Sequence, residues 1–245
     1  MTLRIFYWPV PFRGNFIKLL LEDANVPYSV ASPKEVSRLV NLEISEQKLA
    51  GMAPPYLADE KNDIFLNQTL VIMQYLAKRY GYEPEDQQKC LIAAKVTFDC
   101  LDFMSDLTQA NGTKMWEYSD WQIFRNERLP RWLEIFEAIG KKHQLKPHSS
   151  YLLGTKDPTY ADISVLALLA TIQQCLPELL TNIKAHAPHI SSLIDRLSRR
   201  ARIKVFLDRQ KQALGNLYCG GDIERSIREM IERDKRIAKP VTAEV

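Results

Sequence analysis

Between residues 3 and 27 the chain has no Ser, Thr or Cys, and Tyr7 carries the one side-chain hydroxyl of that stretch. A phenol with a pKa near ~10 stays protonated at neutral pH and can donate a short, charge-assisted hydrogen bond to an anion. Trp8 follows it, and its indole N–H is a second donor. Alternation along a strand places Ile5 and Tyr7 on one face, so a packed core position is the competing reading for Tyr7. Cys90, Cys100, Cys175 and Cys219 are far apart, with no CxxC or Cys/His ligand spacing, so a metal centre or disulfide framework is not expected. Thr159 and Asp162 have the spacing of a reciprocal helix cap ahead of an apolar run, which gives them a structural role.

The elements that must position these groups follow from pattern. LRIFY (3–7) is a short apolar run stopped by Pro9 and Pro11, as a buried strand requires. A helix-period stripe from Phe16 to Ala24 follows, then a strand over 26–30 and a weakly helical stretch from Lys34 to Ala50. Tyr56-Leu57 and Ile64-Phe65-Leu66 flank a polar run and predict a hairpin. Leu70 to Tyr80 predicts a helix closed by Gly81. Residues 1–81 thus read βαβαββα, a small mixed sheet covered by helices. From residue 85 to 245 only helix-period segments occur, at about 85–110, 119–143, 160–175, 189–198 and 203–214, and Gly81-Tyr82-Glu83-Pro84 is the expected domain boundary.

Composition narrows the class. The chain has 245 residues, 46% hydrophobic and 26% charged, enough to bury a core without staples. Its longest apolar stretch falls short of the ~20 residues that span a membrane. The N-terminus enters a strand pattern at once, without the features of a secretory leader, so a cytoplasmic location is expected. The formal charge is +3, and residues 196–245 hold 13 basic against 7 acidic side chains. That tail pairs Glu224 with Arg228 and Glu229 with Arg233 at helical spacing, which reads as a solvated helix face. It lacks an aromatic platform, so nucleic-acid binding is not expected.

Four segments carry a family resemblance: FYWPVPFRGNFIKLLLEDANVPY, APPYLADE, LNQTLVIMQYLAKRYG and PTYADISVLALL. In order and spacing they resemble the cytosolic glutathione transferases from Leu3 to about residue 210. The resemblance implies an α/β thioredoxin-like N-terminal domain followed by an all-α helical domain. It also implies glutathione as co-substrate with no metal, a small electrophilic and apolar second substrate, a homodimer, and detoxification by conjugation.

The same resemblance implies a site. Pro55 takes the cis-proline position, and Gln68-Thr69 match the helix start that holds the γ-glutamyl carboxylate. A helix N-terminus with its unsatisfied amides suits an anion, and capping alone is the alternative. Pro54 takes the residue whose backbone pairs with the cysteinyl unit, yet proline has no N–H to give. Lys48 is a contact for the glycine carboxylate or simply an exposed lysine. Asn15 stands just past Arg13-Gly14, where some classes place a contact. Two alignments of the first turn remain open, one making Tyr7 the thiolate donor and the other placing Trp8 there. Met104, Trp116, Tyr118, Trp121 and Phe124 either line the electrophile pocket or form core. A non-catalytic binding or assembly module on the same fold is the competing function, and the tail helix is either a solvated face or a lid over the pocket.

Overall fold

The computed structural model describes residues 3–238. The end of the basic extension, 239–245, lies outside the described residues.

Strand β1 (Leu3–Phe6) is the hub of a four-stranded sheet. It pairs in parallel with β2 (Ser29–Val30) and antiparallel with β3 (Tyr56–Asp59), which pairs antiparallel with β4 (Ile64–Asn67). The order is β2-β1-β3-β4. Helix α1 (Gly14–Asp23) buries Phe16, Ile17 and Leu19 to Leu21, and Asn25 ends it with a positive φ of 56°. Strand β2 is shorter than the predicted 26–30, because pairing with β1 covers Ser29 and Val30 alone. The stretch from Lys34 also differs from expectation. Helix α2 (Pro33–Val40), capped by the reciprocal Ser32–Glu35 pair, stops early and gives way to a single tight turn at Ile44–Glu46. Val36 is its one buried residue, so nothing apolar extends the helix further. Helix α3 (Thr69–Tyr80) ends at Gly81, whose φ of 79° needs no Cβ.

All later elements are helical. Helix α4 (Gln87–Leu107) starts where the Asp86 side chain accepts from the Lys89 N–H at 2.8 Å. It ends before the predicted residue 110, because the next turn, α5 (Gln109–Gly112), is left-handed, with φ of 48°, 53°, 61° and 84°. Three of those residues carry a Cβ, and each costs about 1–2 kcal/mol there. Helix α6 (Tyr118–Ile123) runs through one wide turn, Phe124–Arg128, into α7 (Leu129–Lys142).

Helix α8 (Tyr160–Cys175) is buried on almost every side, as a helix that is apolar all round must be. It packs on α4, where Thr97 and Ser164 hydroxyls meet at 2.9 Å, and on α1. The Asp162 carboxylate caps it, accepting from the Thr159 N–H and hydroxyl at 2.8 Å each and from the Leu152 N–H at 2.7 Å. The remaining helices are α9 (Ile183–His186), α10 (Pro188–Ser198), α11 (Ala201–Leu214) and α12 (Gly221–Ala238).

Helix α12 departs from the expected solvated face. Glu224, Ser226, Ile227 and Ile231 are buried on the helical body, and Asp234 accepts from Tyr118, Trp121 and Gln122. The Glu224–Arg228 pair does form, at 2.6 Å, while Arg233 stacks over the Tyr118 ring at 3.9 Å. No single described helix is long and apolar enough to cross a membrane.

Candidate functional site

The sheet register brings three of the predicted positions to one edge. Phe6 pairs with Tyr56, and Tyr56 with Asn67. One residue past this row in each strand stand Tyr7, Pro55 and Gln68. The Pro54–Pro55 peptide bond is cis. Asn67 fastens that loop to the end of β4, its Nδ2 donating to the carbonyls of Ala53 and Pro55 at 2.9 and 3.0 Å. Tyr56 donates to the Gly51 carbonyl at 2.8 Å, and Gly51 donates to Gln47 at 2.9 Å. The approach to Pro54 is therefore rigidly held.

Gln68 has φ 75° and ψ 126°, a conformation unusual for a residue with a Cβ, and α3 begins without a side-chain cap. Its first amides therefore lack the partner that a Ser, Thr or Asp cap supplies. Backbone held in a sparsely populated region beside bare helix amides is a recurring property of ligand clamps. Thr69 is buried at the first helical position, and Gln68 is exposed. Lys48 stands in solvent, 3.2 Å from Asp63 and with its ammonium 5.8 Å above the Phe65 ring.

Tyr7 is 4% exposed, with its ring against Gly14. The Arg13 backbone N–H donates to its hydroxyl at 3.0 Å, leaving the phenol proton to give elsewhere. Burial raises the Tyr7 phenol above its ordinary pKa, against the opposing pull of the Arg13 and Gly14 amides and the Arg13 charge, so it stays protonated at neutral pH. Trp8 is half-buried, and its carbonyl accepts from the Val10 N–H at 2.8 Å in a tight turn.

Asn15 does not join this set. It is fully buried, and its Nδ2 donates to Thr171 Oγ1 and Gln210 Oε1 at 3.0 Å each, while Gln210 donates back to its Oδ1 at 2.8 Å. Its amide ties α1 to α8 and α11, which leaves no group for a ligand. The aromatic set is also placed differently. Met104, Trp116, Trp121 and Phe124 are buried, the Trp116, Trp121 and Phe124 rings lie 5.2–5.8 Å apart, and Tyr118 is half-buried beside Asp234. They pack as core beneath α12, and Trp116 and Phe124 also border a cleft of about 280 Å³ together with Asp106, Lys114, Asp120 and Arg128. A polar cleft of about 450 Å³ beside α5 is lined by Asp102, Asp106, Lys114, Arg128 and other residues, none of them a predicted site residue.

Two elements that sequence reasoning passed over close on the turn at residues 8–13. The Arg13 guanidinium donates to Asn111 Oδ1 of α5 at 2.7 Å, and Tyr218 sets its ring edge-on to Phe12 at 5.3 Å. The Asn111-Gly112 pair is a signal for left-handed backbone, although here it announces a whole turn rather than one residue. Nothing local marks Tyr218.

Residues 92–230 match the family model "Glutathione S-transferase, C-terminal domain". The glutathione S-transferase of Plasmodium falciparum (isolate 3D7) is 31% identical over 135 residues, 54% of this chain and 62% of that protein. That of Plasmodium yoelii yoelii is 26% identical over 155 residues, covering 63% and 68%. The chain thus spans less than two thirds of the length of the first relative. The Pi-class glutathione S-transferase of Onchocerca volvulus superposes with a TM-score of 0.69 at 18% identity, covering 87% of this chain and 95% of that one. Prostaglandin synthase D of Nilaparvata lugens gives 0.66 at 18% identity, covering 86% and 99%. At such identity these two speak for the fold, a thioredoxin-like sheet followed by helices. The match over 92–230, more than half the sequence, places the chain in the glutathione S-transferase family.

Proposed function

We propose that this protein conjugates the thiolate of glutathione to small electrophilic, apolar substrates. The observation that carries the reading is the row Tyr7, cis-Pro55 and Gln68 at one sheet edge, with the Tyr7 oxygen held by the Arg13 N–H and its proton available. A thiol with an ordinary pKa near ~8.5 is mostly protonated at neutral pH, and a donor beside the sulfur favours the nucleophilic thiolate. In this reading Tyr7 is that donor, the uncapped start of α3 with Gln68 and Thr69 receives the γ-glutamyl carboxylate, and Lys48 faces the other carboxylate. Trp8 borders the sulfur, and Pro54 contributes its carbonyl alone. The protein acts in the cytoplasm as a homodimer, in detoxification, without a metal.

Retention on immobilised glutathione, followed by conjugation of an aryl halide, tests this reading. Wild type is retained and active, and Tyr7→Phe is retained but at least tenfold slower. Absence of retention by wild type refutes the glutathione site, and an unimpaired Tyr7→Phe refutes the donor.

A specific observation favours a second reading, a non-catalytic binding or assembly module. Pro54 withholds one of the two backbone hydrogen bonds expected at its position, and Tyr7 is enclosed. Retention without turnover of any electrophile supports that alternative.

A further inference from the structure

Arg13 is half-buried in the turn that carries Tyr7, and burial lowers the pKa of its guanidinium, although such a group stays charged in proteins. A charge withdrawn from water is ordinarily matched by an opposite one. Here, among the described residues, the side-chain partner of the guanidinium is neutral: it donates to Asn111 Oδ1 at 2.7 Å. It also lies 5.5 Å over the Phe12 ring, and the Asp102 carboxylate of α4 acts on it only through space. Tyr7, Tyr218 and Cys219 surround the same place, but burial raises the pKa of each and keeps it uncharged at neutral pH. The positive charge is thus held in position without being cancelled.

Asn111 makes this contact from an uncommon backbone. It is the third residue of the left-handed turn α5, with φ 61° and ψ 35°, and the next N–H, that of Gly112, closes the turn on the Thr108 carbonyl at 2.7 Å. Asn and Asp are the residues with a Cβ that tolerate this conformation best. A costly backbone persists where the surrounding structure fixes it, as at ligand clamps. From this turn the Asn111 amide reaches a residue 98 positions earlier. The Arg13 N–H in turn holds the Tyr7 oxygen at 3.0 Å, and the Arg13 charge acts on the Tyr7 phenol. The guanidinium fixed by Asn111 therefore stands in the field of the phenol that meets the sulfur in the conjugation reading.

We propose that Asn111 is a positioning residue of the transfer site: its neutral amide anchors the Arg13 guanidinium and leaves that charge available to favour the glutathione thiolate. This rests on the conjugation reading above. The thiol proton passes to solvent, and the sulfur keeps the electron pair that then bonds the electrophilic carbon. Asparagine and aspartate have nearly the same shape and both offer Arg13 an acceptor oxygen. A carboxylate at residue 111 would cancel the charge that the amide preserves, and this difference separates anchoring from electrostatics.

The test compares wild type, Asn111→Asp and Asn111→Gly in the aryl halide assay. At saturating glutathione, kcat/KM for the aryl halide follows the thiolate fraction of the glutathione complex, so its pH profile reads the thiol pKa. Loss of a nearby positive charge raises that pKa and moves the profile to higher pH. For Asn111→Asp the midpoint is expected to rise by about one pH unit, with rates about tenfold lower on the acid limb and nearly equal to wild type above about pH 9. Its melting temperature stays level or rises, because the backbone conformation is tolerated and an ion pair forms. Asn111→Gly keeps the left-handed turn, removes the acceptor, and shifts the profile in the same direction by less; it decides the matter by itself if the aspartate variant does not fold. An Asn111→Asp profile that overlays wild type, or a loss of rate equal at every pH, overturns the role of Asn111 while leaving glutathione transfer intact. Absence of aryl halide turnover by wild type overturns the conjugation reading and this inference with it.

Discussion

Tyr7 lays its ring so closely on Gly14 that a Cβ at residue 14 would lie 2.4 Å from Tyr7 Cδ1. The glycine at the start of α1 thereby sets where the phenol stands, and the adjacent Arg13 N–H sets how it is oriented. Gly14→Ala forces the ring away from this position. Overpacking of this kind costs about 1–3 kcal/mol. Thermal unfolding is expected to show that loss, and the aryl halide assay a lower kcat with the helical circular dichroism retained.

Pro54 presents a carbonyl but no N–H beside the cis bond. Pro54→Ala restores the donor, and a net hydrogen bond is worth about 0.5–1.5 kcal/mol. The KM for glutathione is expected to fall by about twofold to tenfold, with kcat on an aryl halide little altered. Steady-state kinetics over a range of glutathione concentrations checks it.

Asn15 and Gln210 exchange two hydrogen bonds across 195 positions of sequence, with Thr171 as a third partner. Asn15→Ala leaves the Gln210 amide buried without its match, at a cost of about 2–3 kcal/mol. Calorimetry is expected to show a melting temperature lower by roughly 5–10 °C. The double variant Asn15→Leu, Gln210→Leu loses less than the two single substitutions combined, because no orphan remains.

Asp162 receives three donors, two of them backbone N–H groups, and Thr159 supplies one of those and its hydroxyl. Asp162→Ala orphans all of them and is expected to cost about 3 kcal/mol or more. Thr159→Ala keeps both backbone donors on the carboxylate and costs about 1 kcal/mol. Urea denaturation midpoints at constant slope separate the two.

Burial raises the phenols of Tyr7 and Tyr218 above their ordinary pKa in the folded chain. Unfolding returns them to about 10, so above that pH the unfolded chain has already lost protons that the folded chain retains. Stability from this source is complete below about pH 10 and declines as pH rises beyond it. Spectrophotometric titration is expected to show a late-titrating tyrosine fraction that ionises together with unfolding. Titration of all the tyrosines near pH 10 in the folded state counts against the burial described.

The elements visible in the amino-acid order were those stabilised within their own few residues. The βαβαββα order, the hairpin around Asp63, the α3 stop at Gly81 and the Thr159–Asp162 cap rest on turn chemistry, capping and period. Boundaries failed where tertiary contact intervened. Strand β2 extends only as far as β1 pairs with it, and α2 stops where it has no further apolar face to bury.

The same division runs through the candidate site. The sequence by itself determined that Tyr7, Pro55, Gln68 and Thr69 stand next to strand ends and a helix start, because those local elements are written in spacing and residue type. Only the tertiary structure decided that they share one edge, since strand register is a pairing between distant segments. It alone withdrew Asn15 into a contact with Gln210, placed the aromatic cluster beneath α12, and brought Tyr218 onto Phe12. Each of these depends on side chains more than 100 positions apart, and no periodicity within a window of a few turns carries that information.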